Sequence, residues 1–222
     1  MNPTKLASRS LHLDAGGWCT AAQQLASPNC DTRPDGAAIE LLVIHNIGLP
    51  PGQFGGPYIA DLFCNRLDYT AAPYFEQLRT LRVSSHFLIR RDGYLMQFVS
   101  TLQRAWHAGV SQFEGRERCN DFSIGIELEG SDFEIFTPDQ YTMLADLTVA
   151  LQHAHRLRAV CGHQHIAPDR KTDPGPFFDW CRYQSQWASG SPSGALKAKA
   201  ITTLRFVTAD QNPPKNATKK TE

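Results

Sequence analysis

The chain of 222 residues has no surplus of charge of either sign: 22 lysines and arginines stand against 22 aspartates and glutamates. A protein built chiefly to neutralise nucleic-acid phosphates carries a basic excess, so no nucleic-acid partner is expected. No apolar run approaches the roughly 18 residues needed to cross a bilayer, and no membrane partner is expected either. Lys5 and Arg9 are not followed by the apolar stretch of about 7–15 residues that a secretory signal requires. The chain is therefore expected to remain in the cytoplasm. Cysteines at metal- or redox-type spacing are lacking too: Cys19, Cys30, Cys64, Cys119, Cys161 and Cys181 contain no CxxC pair. A chain of this length needs no covalent staples, and in a reducing compartment all six are expected to be free thiols.

What is present is an ordinary globular composition, 41% hydrophobic and 20% charged, sufficient for one large domain with a sizeable core. The neutrality is uneven. From Gly190 to Glu222 six basic residues face Asp210 and Glu222, a surplus of four in a Ser/Gly/Pro/Lys/Thr-rich stretch. One domain over residues 1–188 is expected, with a disordered basic tail over 189–222, and the chain is expected to be a monomer.

Residues 39–45, IELLVIH, have strand length and apolar side chains on both faces from Leu41 to Ile44, the pattern of a covered central strand. Residues 83–90 and 94–99 flank Arg91-Asp92-Gly93, a hairpin signal. A short helix is expected around Tyr58–Leu67. Phe122 to Leu128 alternates apolar and small or polar residues as a strand does. Thr137-Pro138-Asp139-Gln140 opens a helix with a capping box, and Tyr141, Leu144, Leu147, Leu151 and Ala154 carry it to about Arg156. Five Pro/Gly positions between Gly162 and Trp180 argue against long regular structure there.

Two places concentrate chemistry. His45 ends the apolar strand where a Gly/Pro-rich loop begins, and GHQHIAPDRKTDPGP packs His163, His165, Asp169, Lys171 and Asp173 into a loop with little apolar content. Two histidines and a carboxylate, with a fourth position left for water, form the ligand set of a catalytic zinc centre. His45, one of His163 or His165, and Asp173 would supply it; spacing does not choose between the two histidines. Glu127, beside small Gly125, could serve as general base, with Glu129 on the same face as its competitor.

The segments LLVIHNIGLPPGQFGG, LRVSSHFLIRRDG, RAWHAGVSQFEGRERCNDFSIGIELEG and GHQHIAPDRKTDPGPFFDW closely resemble the cytoplasmic 1,6-anhydro-N-acetylmuramyl-L-alanine amidases of bacterial cell-wall recycling. These are part of a zinc amidase family shared with phage amidase-lysozymes and peptidoglycan recognition proteins. The resemblance spans about Leu13 to Tyr183. It implies an α/β fold, a single mixed β-sheet of about five or six strands flanked by helices. It also implies zinc held by His45, His163 and Asp173, with Glu127 as catalytic carboxylate and Lys171 as the cation for the oxyanion. Asn46, Arg82, Trp106 and Arg118 match positions that contact a muropeptide substrate in that family. The implied reaction is hydrolysis of the amide between the lactyl group of anhydro-N-acetylmuramic acid and L-alanine. Three alternatives stand beside it: a non-catalytic muropeptide sensor on the same scaffold, a murein amidase acting on polymeric wall, and a basic tail that binds an anionic partner.

Overall fold

The computed structural model describes residues 11–189 and 203–207. The strands before the first helix are β1 (Gln23–Gln24), β2 (Cys30–Thr32) and β3 (Leu41–Ile47). Helix α1 (Tyr58–Phe63) follows, then the β4 (Phe87–Ile89) and β5 (Leu95–Gln97) hairpin, β6 (Gln103–Ala105), and the small hairpin of β7 (Gln112–Phe113) and β8 (Arg116–Glu117). After β9 (Ser123–Glu129) come α2 (Pro138–Ala154), β10 (Ala159–Gly162), α3 (His163–Ile166), α4 (Trp180–Ala188) and β11 (Arg205–Phe206).

Seven strands form one mixed sheet in the order β1-β5-β4-β9-β3-β10-β11. Only β4 and β5 run antiparallel; every other neighbouring pair is parallel. The expected mixed sheet with flanking helices is present, with seven strands in place of five or six. The outermost two are two residues long, too short to leave a periodic signal. One of them corrects the tail. Leu204, Phe206 and Val207 are buried, and β11 pairs with Ala159 and Val160, so residues 203–207 are part of the fold. Residues 190–202 and 208–222 of the expected tail lie outside the described residues.

Both faces of β3 are covered, as its unbroken apolar run requires. Leu42 and Ile44, with Ile124, Ile126 and Leu128 of β9, pack against Tyr141, Leu144, Leu147 and Leu151 of α2 and Tyr183 of α4. Each such buried aliphatic chain contributes about 1.5–3 kcal/mol. On the other face Leu41 and Val43 meet Ala108, Cys119, Phe122, Cys161 and Ile166. The capping box of α2 forms as read: Gln140 N donates to Thr137 Oγ1 at 3.2 Å and Thr137 N donates to Gln140 Oε1 at 3.0 Å. Such a cap is worth about 1 kcal/mol. Arg91-Asp92-Gly93 turns the hairpin, with Gly93 at φ 78°. All six cysteines are free. No helix among the described residues is long and apolar enough to cross a membrane.

Candidate active site

Strand register places the first two functional side chains. His45 on β3 stands opposite Glu127 on the parallel neighbour β9, so both project from the face away from α2. Gly162 of β10 pairs with Ile44, and the chain turns there into α3, setting His163 beside His45. Gly162 also admits the loop that follows: a Cβ there would stand 2.6 Å from Pro174 Cδ. Gln164 N donates to Asp173 O at 3.0 Å, which brings Asp173 back onto the start of α3.

The result is a triangle of donor atoms. His45 Nδ1 lies 3.0 Å from His163 Nδ1 and 2.9 Å from Asp173 Oδ2, and His163 Nδ1 lies 3.1 Å from Asp173 Oδ2. Both histidines are buried and Asp173 is half-buried. The outer nitrogens are engaged elsewhere: His163 Nε2 is 3.1 Å from Ala108 O, and His45 Nε2 is 3.0 Å from His107 Nδ1. Ala108 O only accepts, so it takes the His163 Nε2 proton and leaves the His163 Nδ1 lone pair facing inward beside the Asp173 carboxylate oxygen, a donor set that suits a cation. The edges are close to the ~3.3 Å expected between ligands of a tetrahedral zinc site, so the residues fit such an ion.

Burial depresses the His45 pKa to about 4, which favours the neutral, lone-pair-bearing ring. Burial pushes Asp173 upward, but its short contacts with His163 and His45 outweigh it and hold the carboxyl below the usual range. Glu127 is raised well above its ordinary value, by burial first and then by the charge of Asp173, with Lys171 partly offsetting both. Glu127 Oε2 is buried and without a hydrogen-bond partner. Lys171 is exposed, and its charge is felt by both Glu127 and His45.

His165 and Glu129, the alternatives to His163 and Glu127, are both held away from the triangle by other partners. His165 turns away from the triangle: its Nδ1 accepts from Gly162 N at 2.9 Å, and its ring packs on Trp180. Glu129 is committed to the backbone, accepting from Gly55 N at 2.7 Å and Arg91 N at 3.2 Å. Asn46 adjoins the site, its amide donating to Asp132 Oδ1 at 2.7 Å and Pro174 O at 3.1 Å. The other expected substrate contacts are not drawn into the triangle. Arg82 is exposed and donates to the carbonyls of Arg79 and Leu81. Arg118 is exposed, with its Nε 3.3 Å from Asp121 Oδ2. Trp106 is half-buried, and its backbone N–H donates to Ser84 Oγ at 3.2 Å. His107, beneath His45, had no place in the sequence reading; Gly125, where a Cβ would fall 2.5 Å from its Cγ, was the available signal.

The sequence pattern of the N-acetylmuramoyl-L-alanine amidases matches residues 35–176. The chain belongs to that family. This amidase is 55% identical over 170 residues to the 1,6-anhydro-N-acetylmuramyl-L-alanine amidase AmpD of Escherichia coli K12, which covers 76% of this chain and 93% of that relative. AmpD of Citrobacter freundii is likewise 55% identical over 171 residues, 76% of this chain and 91% of the relative. Among solved structures, a selenomethionine derivative of AmpD superposes with a TM-score of 0.75 at 53% identity, covering 78% of this chain and 98% of that one. The amidase is an enzyme of the same hydrolytic class, and the triangle, Glu127 and Lys171 all lie inside the matched residues.

Proposed function

We propose that this amidase cleaves the amide between the lactyl group of 1,6-anhydro-N-acetylmuramic acid and the L-alanine of its stem peptide, as a monomeric zinc enzyme of cytoplasmic peptidoglycan recycling. The observation that carries the mechanism is Glu127: a buried carboxyl with an unpartnered oxygen, in register with His45 and under the influence of the Asp173 charge. High identity to AmpD over nearly its whole length supports the substrate.

His45, His163 and Asp173 would hold the zinc, which as a Lewis acid makes water acidic enough to attack near neutral pH. Glu127 takes the proton of the attacking water at Oε2 and returns it to the departing alanine amine. Lys171, exposed at the surface and near enough for its charge to act on Glu127, serves the oxyanion; one such donor is worth about 3 kcal/mol. Asp173 in place of a thiolate keeps the ligand set hard and free of an oxidisable sulfur. Arg82 and Arg118, both exposed, are available to pair with the peptide carboxylates, Trp106 offers a face to the sugar, and Asn46 lines the entry. The test compares hydrolysis of an anhydromuramyl-peptide with that of intact sacculi, with and without a chelator. Soluble muropeptide should be strongly preferred and activity should vanish with the metal. Full turnover by demonstrably zinc-free protein overturns the mechanism, and preference for sacculi overturns the substrate.

A further inference from the structure

We propose that His107 and the carbonyl of Ala108 form the outer support of the metal centre, holding His45 and His163 with their Nδ1 lone pairs inward, with His107 as a positioning residue. The inference rests on the reading of His45, His163 and Asp173 as the ligands.

Hydrogen-bond direction carries the argument. A backbone carbonyl only accepts, so at 3.1 Å from Ala108 O the Nε2 of His163 is the protonated nitrogen and its Nδ1 is left with a lone pair. His45 needs the same tautomer, and therefore an acceptor for its Nε2–H. That acceptor is His107 Nδ1 at 3.0 Å. His107 is able to accept there when it gives its own Nε2–H to Ser123 Oγ, 3.1 Å away, whose hydroxyl oxygen can take it. In the proposed arrangement protons point one way along His45, His107 and Ser123.

Two adjacent residues serve both ligand rings, one by side chain and one by backbone. Their positions are fixed together. The N–H groups of His107 and Ala108 both donate to Asn120 Oδ1, at 3.2 and 2.8 Å. Arg170 Nη2 donates to Ala108 O at 3.0 Å. The His107 ring lies where a Cβ on residue 125 would otherwise sit. A histidine buried merely for packing needs no particular proton direction; this one completes a tautomer that the centre requires.

The experiment compares His107→Phe, which keeps the ring and loses both nitrogens, with His107→Asn, which retains an acceptor on Cγ. Zinc affinity is read by chelator competition, and the tautomer of His107 by nitrogen-15 NMR of the zinc-loaded protein. His107→Phe should weaken zinc binding about 10–100-fold, and His107→Asn should recover most of the loss. Zinc-loaded wild type should carry the His107 proton on Nε2, leaving its Nδ1 to accept from His45. Equal zinc affinity in wild type and His107→Phe overturns the inference while leaving the ligand set intact. So does an equal loss in both variants, which marks simple packing. Folded wild type that binds no zinc at all refutes the ligand reading instead. If His107→Phe does not fold, the zinc-loaded wild type decides, and a His107 proton on Nδ1 refutes the proposal.

Discussion

Replacing Gly125 by alanine adds one methyl group beneath the His107 ring. The new Cβ would stand 2.5 Å from Cγ, 2.7 Å from Nδ1 and 2.8 Å from Cδ2, where ordinary contact begins at 3.4 Å. The ring must therefore retreat by about 0.9 Å. It has little freedom to do so, held between His45 Nε2 at 3.0 Å and Ser123 Oγ at 3.1 Å and packed edge-on to His86. A shift of that size stretches a 3.0 Å hydrogen bond beyond useful length. Overpacking of this kind costs about 1–3 kcal/mol, and removing a strand glycine returns about 0.5–1 kcal/mol. The net loss, centred on about 1 kcal/mol and at most about 2.5 kcal/mol, corresponds to a fall of roughly 2–4 °C and at most about 10 °C in Tm for a domain of this size. Calorimetry of the metal-free protein and chelator competition for zinc measure the two consequences. A Tm at or above wild type with unchanged zinc affinity would refute the reasoning, since the ring would then have moved without cost.

Glu127→Gln should lower kcat by roughly 10²–10⁴ while metal analysis still finds one zinc per chain; near-normal turnover removes Glu127 from the proton path. Lys171→Met should lower kcat by about 10²–10³ with KM little changed, and a pure KM effect would make it a binding residue. His163→Ala should abolish stoichiometric zinc, whereas His165→Gln should keep it and lose only stability through the Gly162 N–H bond; the reverse pattern exchanges their roles. His155 sits 3.0 Å from Thr101 Oγ1, and burial, with the charge of Arg33, holds its pKa at about 4 against an ordinary 6.5. The unfolded chain takes up that proton first as pH falls, so this stabilisation is complete above 6.5 and drains away towards 4. His155→Gln should shrink the stability lost between pH 7 and 5 by about 1–2 kcal/mol in denaturant titrations; an unchanged difference counts against it.

The sequence carried the central parts of this architecture because their signals are local. The apolar run of β3, the alternation of β9, the Asp-Gly hairpin and the Thr137–Gln140 capping box are each written in a few consecutive residues, and each formed. Helix α2 stopped at Ala154, two residues short of its expected end, where His155 turns extended. The choice of His163 over His165 was invisible to spacing because it depends on which way a four-residue helix faces. His107 and the buried Arg33, whose guanidinium bonds the carbonyls of Thr101, Asn120, Asp121 and Ser123, were missed for the same reason. Their partners lie up to 90 residues away, and nothing near them in the chain announces burial.

The two outer strands of the sheet come from opposite ends of the described chain and are two residues each. Exposed strand edges are templates for association, and brevity is one of the ways proteins blunt them. Here the seven-residue ladder between β3 and β9 never reaches a rim, and exposed Arg205, ion-paired with Glu114, places a polar pair at one of the rims. The last described residues thus close one side of the sheet: without 203–207, β10, all four of whose residues are buried, would present its unpaired backbone groups as the edge.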